Sequence, residues 1–372
     1  MPSLEPIPIA EPWLGSKERL LVNECVRSGW VSSQGKFVGE FEHAFATYCG
    51  VKYGVATCSG TSALHLALAC LDIGAGDEVI VPTLSFIGTA NPVTYVGATP
   101  VFVDSNIETW NVDPKAVERV ITRNTRAIIV VHLYGHPAQM DEILAIAKRH
   151  GIYVIEDACE AHGAEYRGNK VGSLGAVGCF SFYGNKIITT GEGGMLVTNN
   201  GSVADNARVL RDHGMSKKRK YWHTRIGFNY RMTNLQAALG VAQMERIEQV
   251  VDRKRRNAQI YGSLLKELPG VTLPHEAPWA RHVYWLYTVL IEDRFKISRK
   301  RVMKELALRG IETRPVFYPI TSMPPYRNAR NQRFSVAERV SKKGLSLPSS
   351  PLLKEDSIRG ICGVFRELAD GL

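Results

Sequence analysis

The chain has 372 residues, 45% hydrophobic and 22% charged, with a formal net charge of +10; that is length for two or three domains and the composition of an ordinary globular enzyme. No stretch approaches the roughly 18 apolar residues that span a bilayer. The first fifteen residues, with Glu5, Glu11 and four prolines, lack the basic start and apolar run of a signal peptide, so a membrane protein is excluded and a cytoplasmic one expected.

Ser16–Ser28 and Val38–Tyr48 show the apolar spacing of helices, joined by a turn-rich stretch in which Trp30 is either a packing residue or a pocket wall. Alternating units follow: strand Tyr53–Cys58 and helix Ala63–Leu71; strand Glu78–Val81, closed by Pro82, and a helical stretch Phe86–Val96; strand Pro100–Asp104; the β-branched run Arg126–Val131; helix Met140–His150 and strand Tyr153–Glu156. This alternation argues for an α/β fold with a mostly parallel central sheet and helices on both faces. Gly194–Thr198 reads as a further strand and Ala204–Asp212 as a helix. A long helical pattern runs from Asn234 to about Leu268, changing its charge character near Arg253 and stopped by Pro269. Beyond it the composition shifts to strand Tyr284–Ile291, helix Arg299–Arg309, strand and loop Ile311–Tyr318 and two closing helices. A large domain over residues 1–251 and a smaller α+β domain over 252–372 are expected.

The basic excess is local, in Lys217–Lys220, Arg253–Arg256 and Arg299–Arg301. Such runs are solvated faces or the lining of a cleft for a small anion. Nucleic acid is not expected, because the runs are not interleaved with stacking aromatics and carry no recognised motif. The seven cysteines form no C-x-x-C pair and read as reduced, mostly buried thiols. His132, His136 and His162 lie on different elements without ligand spacing, so no metal is expected.

The chemistry is organised around Cys179–Gly194. Lys186 lies there between an aromatic strand, Phe180–Tyr183, and a turn with Gly191, Gly193 and Gly194. A lysine so placed can present an amine that attacks an aldehyde, or it can be an ordinary loop lysine. Three features bear on the choice. Ser59-Gly60-Thr61-Ser62 opens a helix after a strand, where N–H groups and hydroxyls bind phosphate, although Ser is also a common N-cap. Asp157 ends an apolar strand at the sheet edge where ligands bind. It can pair with the ring nitrogen of pyridoxal phosphate (PLP) or cap a helix. The third feature is their order, phosphate turn, strand-end Asp and then Lys, which is that of PLP enzymes with the aspartate aminotransferase (type I) fold. Ser181 can add a phosphate contact and Phe86 can stack on the ring.

With Cys58–Leu64, Glu156-Asp157-Ala158, Ala161-His162-Gly163, Ser181–Gly194, Gly227–Met232 and Gln236-Ala237-Ala238, the chain resembles the DegT/DnrJ/EryC1/StrS family of nucleotide-sugar aminotransferases over essentially its whole length. The resemblance implies that Lys186 forms a Schiff base with PLP and then shuttles protons. It implies that Asp157 pairs with the pyridine nitrogen, that Gly60, Thr61 and Ser181 hold the phosphate and that Phe86 covers the ring. Asn229 would reach the phosphate in the neighbouring subunit of a homodimer with shared active sites. Glu160 stands where the family has Gln near the phenolic oxygen; a carboxylate there repels a phenolate unless one of them holds a proton. The implied reaction moves an amino group from L-glutamate to C4 of a nucleotide-linked 4-keto sugar. Trp30, Lys220, Arg314 and Tyr318 are expected to contact the sugar or diphosphate. A dehydrating branch of the family carries His in place of the lysine, which argues against dehydration here, and the intact lysine, aspartate and phosphate turn argue against a purely regulatory protein.

Overall fold

The computed structural model describes residues 6–329 and 333–370. Seven strands form the central sheet in the order Tyr53–Thr57, Gly194–Thr198, Val177–Ser181, Tyr153–Asp157, Thr125–Val131, Glu78–Pro82, Thr99–Val103. Gly194–Thr198 runs antiparallel to both neighbours, and the other pairings are parallel.

Both faces of the sheet are covered, as its uninterrupted apolar runs require. Side chains alternate between two cores with the period of a strand. Val79, Val81, Ile129 and Ile155 face Phe41, Phe45, Leu64 and Leu68 from helices Lys36–Cys49 and Gly60–Cys70. Ile80, Ile128, Val130 and Val154 face Val117, Met140, Ile143 and Ile146 from helices Pro114–Val120 and Met140–His150. The second of these helices is legible at both ends. Asp141 and Glu142 sit in its first turn, Lys148, Arg149 and His150 in its last, and Gly151 ends it at φ 64°, so charges match the helix dipole and a left-handed cap stops it.

A second sheet of four antiparallel strands follows the order Val271–Thr272, Tyr287–Ile291, Gly344–Leu347, Arg314–Pro315. Helices Arg299–Leu308 and Glu355–Asp370 pack on it through Val302, Leu306, Ile358, Ile361 and Phe365. Residues 7–9, far away in sequence, lie along this unit. Ile7 bridges Ile311, the Ile9 N–H donates to Glu312 Oε2 at 2.9 Å, and the Ser349 N–H donates to the Ile9 carbonyl at 2.8 Å.

Two helical expectations change. The pattern from Asn234 is not one long helix but two, Asn234–Met244 and Ile247–Leu265, with a break at Glu245–Arg246; the change of charge character near Arg253 lies within the second. At the break the buried Glu18 of helix Ser16–Ser28 accepts from Gln243 and Arg246, so the docking of an earlier helix sets the joint. The second helix changes partners along its length: Val250 and Val251 belong to the large core, Ala258, Tyr261 and Leu265 to the small one. Phe86–Val96 is not one helix but a 3-10 turn, Ile87–Thr89, and a short helix, Asn91–Tyr95, with Pro92 in its first turn.

Candidate active site

One edge of the central sheet gathers the chemistry. Five strands end there, and the segments leaving them line a cavity of ≈ 470 Å³: Ser59–Thr61, Ser85–Thr89, Val131, Asp157–Glu160 and Ser181–Lys186, with Glu192 just before the reversed strand. Trp285, Arg314 and Phe317 close the cavity from the side of the second sheet.

The first segment is a helix start. Ser59 and Ser62 cap each other, Ser62 N–H to Ser59 Oγ at 3.1 Å and Ser59 N–H to Ser62 Oγ at 2.9 Å. The positive end of helix Gly60–Cys70 thereby faces the cavity, and its first N–H groups lack intrahelical partners. Gly60 is required by proximity. A Cβ there would lie 2.7 Å from Cys159 Sγ and 2.8 Å from Ser181 Cβ, so the helix start sits directly beside Ser181.

Asp157 is buried, and both of its oxygens are engaged. Thr89 Oγ1 donates to Oδ2 at 2.7 Å, and the Cys159 N–H donates to Oδ1 at 3.2 Å. Ser85 Oγ lies 2.7 Å from Thr89 Oγ1, forming a hydroxyl pair behind the carboxylate. The preceding Glu156 has a different task. It accepts from the N–H groups of Gly172, Leu174 and Gly175 and from His132 Nε2, whose other nitrogen accepts from Ala138 N–H. It clamps the loop beside the strand, and His132 serves that clamp.

Glu160 is buried as well. Its Oε2 accepts the Tyr134 N–H at 2.7 Å. Burial, the largest cause, pushes its pKa up to about 7, and the Asp157 charge adds to the rise. Lys186 and the Tyr134 N–H pull the other way. At neutral pH the group is therefore partly protonated and able to donate, which a plain carboxylate is not.

Lys186 sits on an ordered loop. Ile187 and Ile188 are buried, the Lys186 N–H donates to the Tyr183 carbonyl, and Thr189 and Thr190 both bond Phe182 O. Its Nζ lies 3.8 Å from the centroid of the Trp285 ring. Phe86, 57% exposed, faces Phe317 at 6.0 Å, and Phe317 stacks on Tyr134 at 5.5 Å.

The cavity thus brings together Gly60, Thr61, Phe86, Asp157, Glu160, Ser181, Lys186 and Arg314. It does not include Trp30, Lys220, Asn229 or Tyr318. The Trp30 ring is exposed while its carbonyl accepts from Asn234. Lys220 lies over the Tyr221 ring in an exposed loop. Asn229 is exposed and accepts from Arg231, and Tyr318 lines a separate open cleft with Arg299 and Lys342. Thr89, Trp285, Tyr134 and Phe317 were missed in the sequence. Only Thr89 left a signal, as a hydroxyl among small residues following a strand stop. An anion-binding helix start with hydroxyls, a fixed carboxylate, an amine and an aromatic wall around one cavity fit PLP, whose phosphate Gly60, Thr61 and Ser181 could hold, with Asp157 available to its ring nitrogen and Lys186 to its aldehyde.

The sequence profile of the DegT/DnrJ/EryC1/StrS aminotransferase family matches residues 12–366. A GDP-perosamine synthase of Caulobacter vibrioides is 50% identical over 359 residues, covering 96% of this chain and 97% of its own. One of Escherichia coli O157:H7 is 45% identical over 361 residues, 97% and 98% of the two chains. Among solved structures, DesV of S. venezuelae superposes with a TM-score of 0.93 at 35% identity, covering 99% of this chain and 100% of that one.

Proposed function

The chain belongs to the DegT/DnrJ/EryC1/StrS aminotransferase family, is a PLP-dependent nucleotide-sugar aminotransferase of type I fold, and from that premise we propose that it converts GDP-4-keto-6-deoxy-D-mannose and L-glutamate into GDP-perosamine and 2-oxoglutarate. The convergence of Lys186, Asp157 and the Gly60 helix start on one cavity carries the chemistry. The 50% and 45% identical relatives over nearly the whole chain support the substrate.

PLP supplies an aldehyde for amine exchange and a ring that takes up the electrons of the breaking C–H bond. Lys186 Nζ would be the base that takes the α-proton of glutamate and hands a proton to the carbon on the far side of the amino nitrogen. With the keto sugar it runs the same transfer backwards. Asp157, held at both oxygens by Thr89 and Cys159 N–H, keeps the ring nitrogen protonated. Phe86 shields the ring from water. Arg314, at the cavity mouth, meets the diphosphate.

Asn229 and Lys220 are exposed and outside their own cavity, which suits residues that complete the site of a second copy in a cytoplasmic homodimer. No helix among the described residues is long and apolar enough to cross a membrane.

The test is the visible spectrum of the purified protein before and after L-glutamate, beside Lys186→Ala, followed by a panel of GDP-, UDP- and dTDP-linked 4-keto-6-deoxy sugars. A band bleached by glutamate and absent in the variant, with turnover on the GDP sugar, is expected. Turnover confined to a UDP or dTDP sugar would overturn the choice of base. Ammonia release without stoichiometric 2-oxoglutarate would indicate dehydration.

A further inference from the structure

We propose that Trp285 is a positioning residue for Lys186: its indole face is where the lysine rests, carrying its proton, whenever it is not joined to the cofactor. The inference rests on Lys186 being the reactive lysine.

Trp285 is 4% exposed, and it is restrained at every polar atom. Its N–H donates to the Tyr134 carbonyl at 2.9 Å, its carbonyl accepts from Lys254 Nζ at 3.0 Å, and its Nε1–H donates to the Asn185 carbonyl at 2.8 Å. The ring stacks on Tyr134 with 16° between planes. The indole therefore grips the residue before Lys186 with its edge while its face meets the lysine Nζ at 3.8 Å. A ring held only to fill space would need neither contact.

The chemistry asks for such a surface. Over one full cycle the lysine must leave its bond, accept and deliver a proton in each half-reaction, and return only at the end. A carboxylate within ion-pair distance would hold the ammonium too firmly to let it deliver. Among the described residues Lys186 makes no ion pair. An aromatic face attracts a cation moderately and a neutral amine hardly at all, so it retains the lysine while it carries the proton and frees it afterwards. The Asn185 clamp returns the lysine to the same place each cycle.

The test compares Trp285→Phe, which keeps a face but loses the N–H, and Trp285→Leu, which keeps neither, with wild type and Lys186→Ala. In the cofactor-free protein the rate at which an acetyl N-hydroxysuccinimide ester labels Lys186, read by peptide mapping, is expected to rise in the Leu variant by roughly two- to thirty-fold, the span of a lost cation–π contact. The Phe variant is expected to fall between. In the loaded enzyme the glutamate half-reaction, followed at the visible band, is expected to lose kcat in the Leu variant with KM for glutamate unchanged, and Phe should restore most of it. Wild-type labelling in the Leu variant, or a raised KM with unchanged kcat, would overturn the proposal and leave Trp285 as cavity wall. Should the Leu variant not fold, the Phe variant decides: labelling above the wild-type rate supports the proposal, and the wild-type rate overturns it. A visible band in Lys186→Ala would instead sink the reading of Lys186 itself, whatever Trp285 does.

Discussion

Glu160→Gln isolates the effect of one buried carboxyl. The ordinary pKa of 4.5 is raised to about 7, first by burial. Between about pH 4.5 and 7 the folded chain holds a proton that the unfolded chain has released, so stability falls as pH rises through that window. Below it both states are protonated and the cost is absent; above it both are ionised and the cost is complete. At about 1.4 kcal/mol for each tenfold change in proton affinity, the full cost is about 3 kcal/mol. Glutamine keeps an oxygen for the Tyr134 N–H and cannot ionise. Urea unfolding of the cofactor-free proteins is therefore expected to give a glutamine variant more stable by only about 1 kcal/mol at pH 5 and by up to about 3 kcal/mol at pH 8. A difference that does not change with pH, or one that shrinks as pH rises, would refute the reasoning.

Thr89→Val removes the donor to Asp157 Oδ2 and leaves a buried carboxylate oxygen short of a partner, a loss of about 1–3 kcal/mol. Titration of the cofactor-free protein with PLP should show affinity weakened by about ten-fold. Gly60→Ala places a methyl 2.7 Å from Cys159 Sγ and 2.8 Å from Ser181 Cβ. The helix start must shift, and the same titration should weaken by about ten-fold or more. Lys254, its amine pushed down to about 7 by burial, is neutral in the folded chain above that pH while the unfolded chain still holds the proton. Wild type should therefore gain stability relative to Lys254→Met as pH rises from about 7 to 9, in denaturant melts at the two values. For shared sites, mixing inactive Lys186→Ala and Asn229→Asp subunits should restore up to about a quarter of wild-type turnover, because half the dimers are mixed and each has one intact site. No recovery after confirmed subunit exchange would place Asn229 in its own subunit's site.

Sheet and edge were legible because their signals are local. Ile128, Ile129 and Val130 are apolar on both faces because both are covered, and Asp157 stands where an apolar run ends. Thr89 and Trp285 were not legible in their roles. Thr89 meets Asp157 across 68 residues, and Trp285 meets Asn185 across 100, through strand order and the docking of the second sheet, which neither local pattern encodes. The joint at Arg246 was hidden for the same reason: its cause is Glu18, on another helix. Strand Gly344–Leu347, four residues with a Ser between leucines, was too short to show a period.

The seating of residues 7–9 against the second sheet has a consequence for biosynthesis. Ile9 and Glu312 are 303 positions apart, so at ribosomal rates of about 5–20 residues per second the early segment waits roughly 15–60 seconds for its partner. The seven-stranded sheet can assemble during that interval from segments already made. Residues 7–9 are meanwhile without their partner, and their docking is among the last steps that mature the small unit. Blocking that segment should therefore trap a chain with its large core built and its second sheet unfinished.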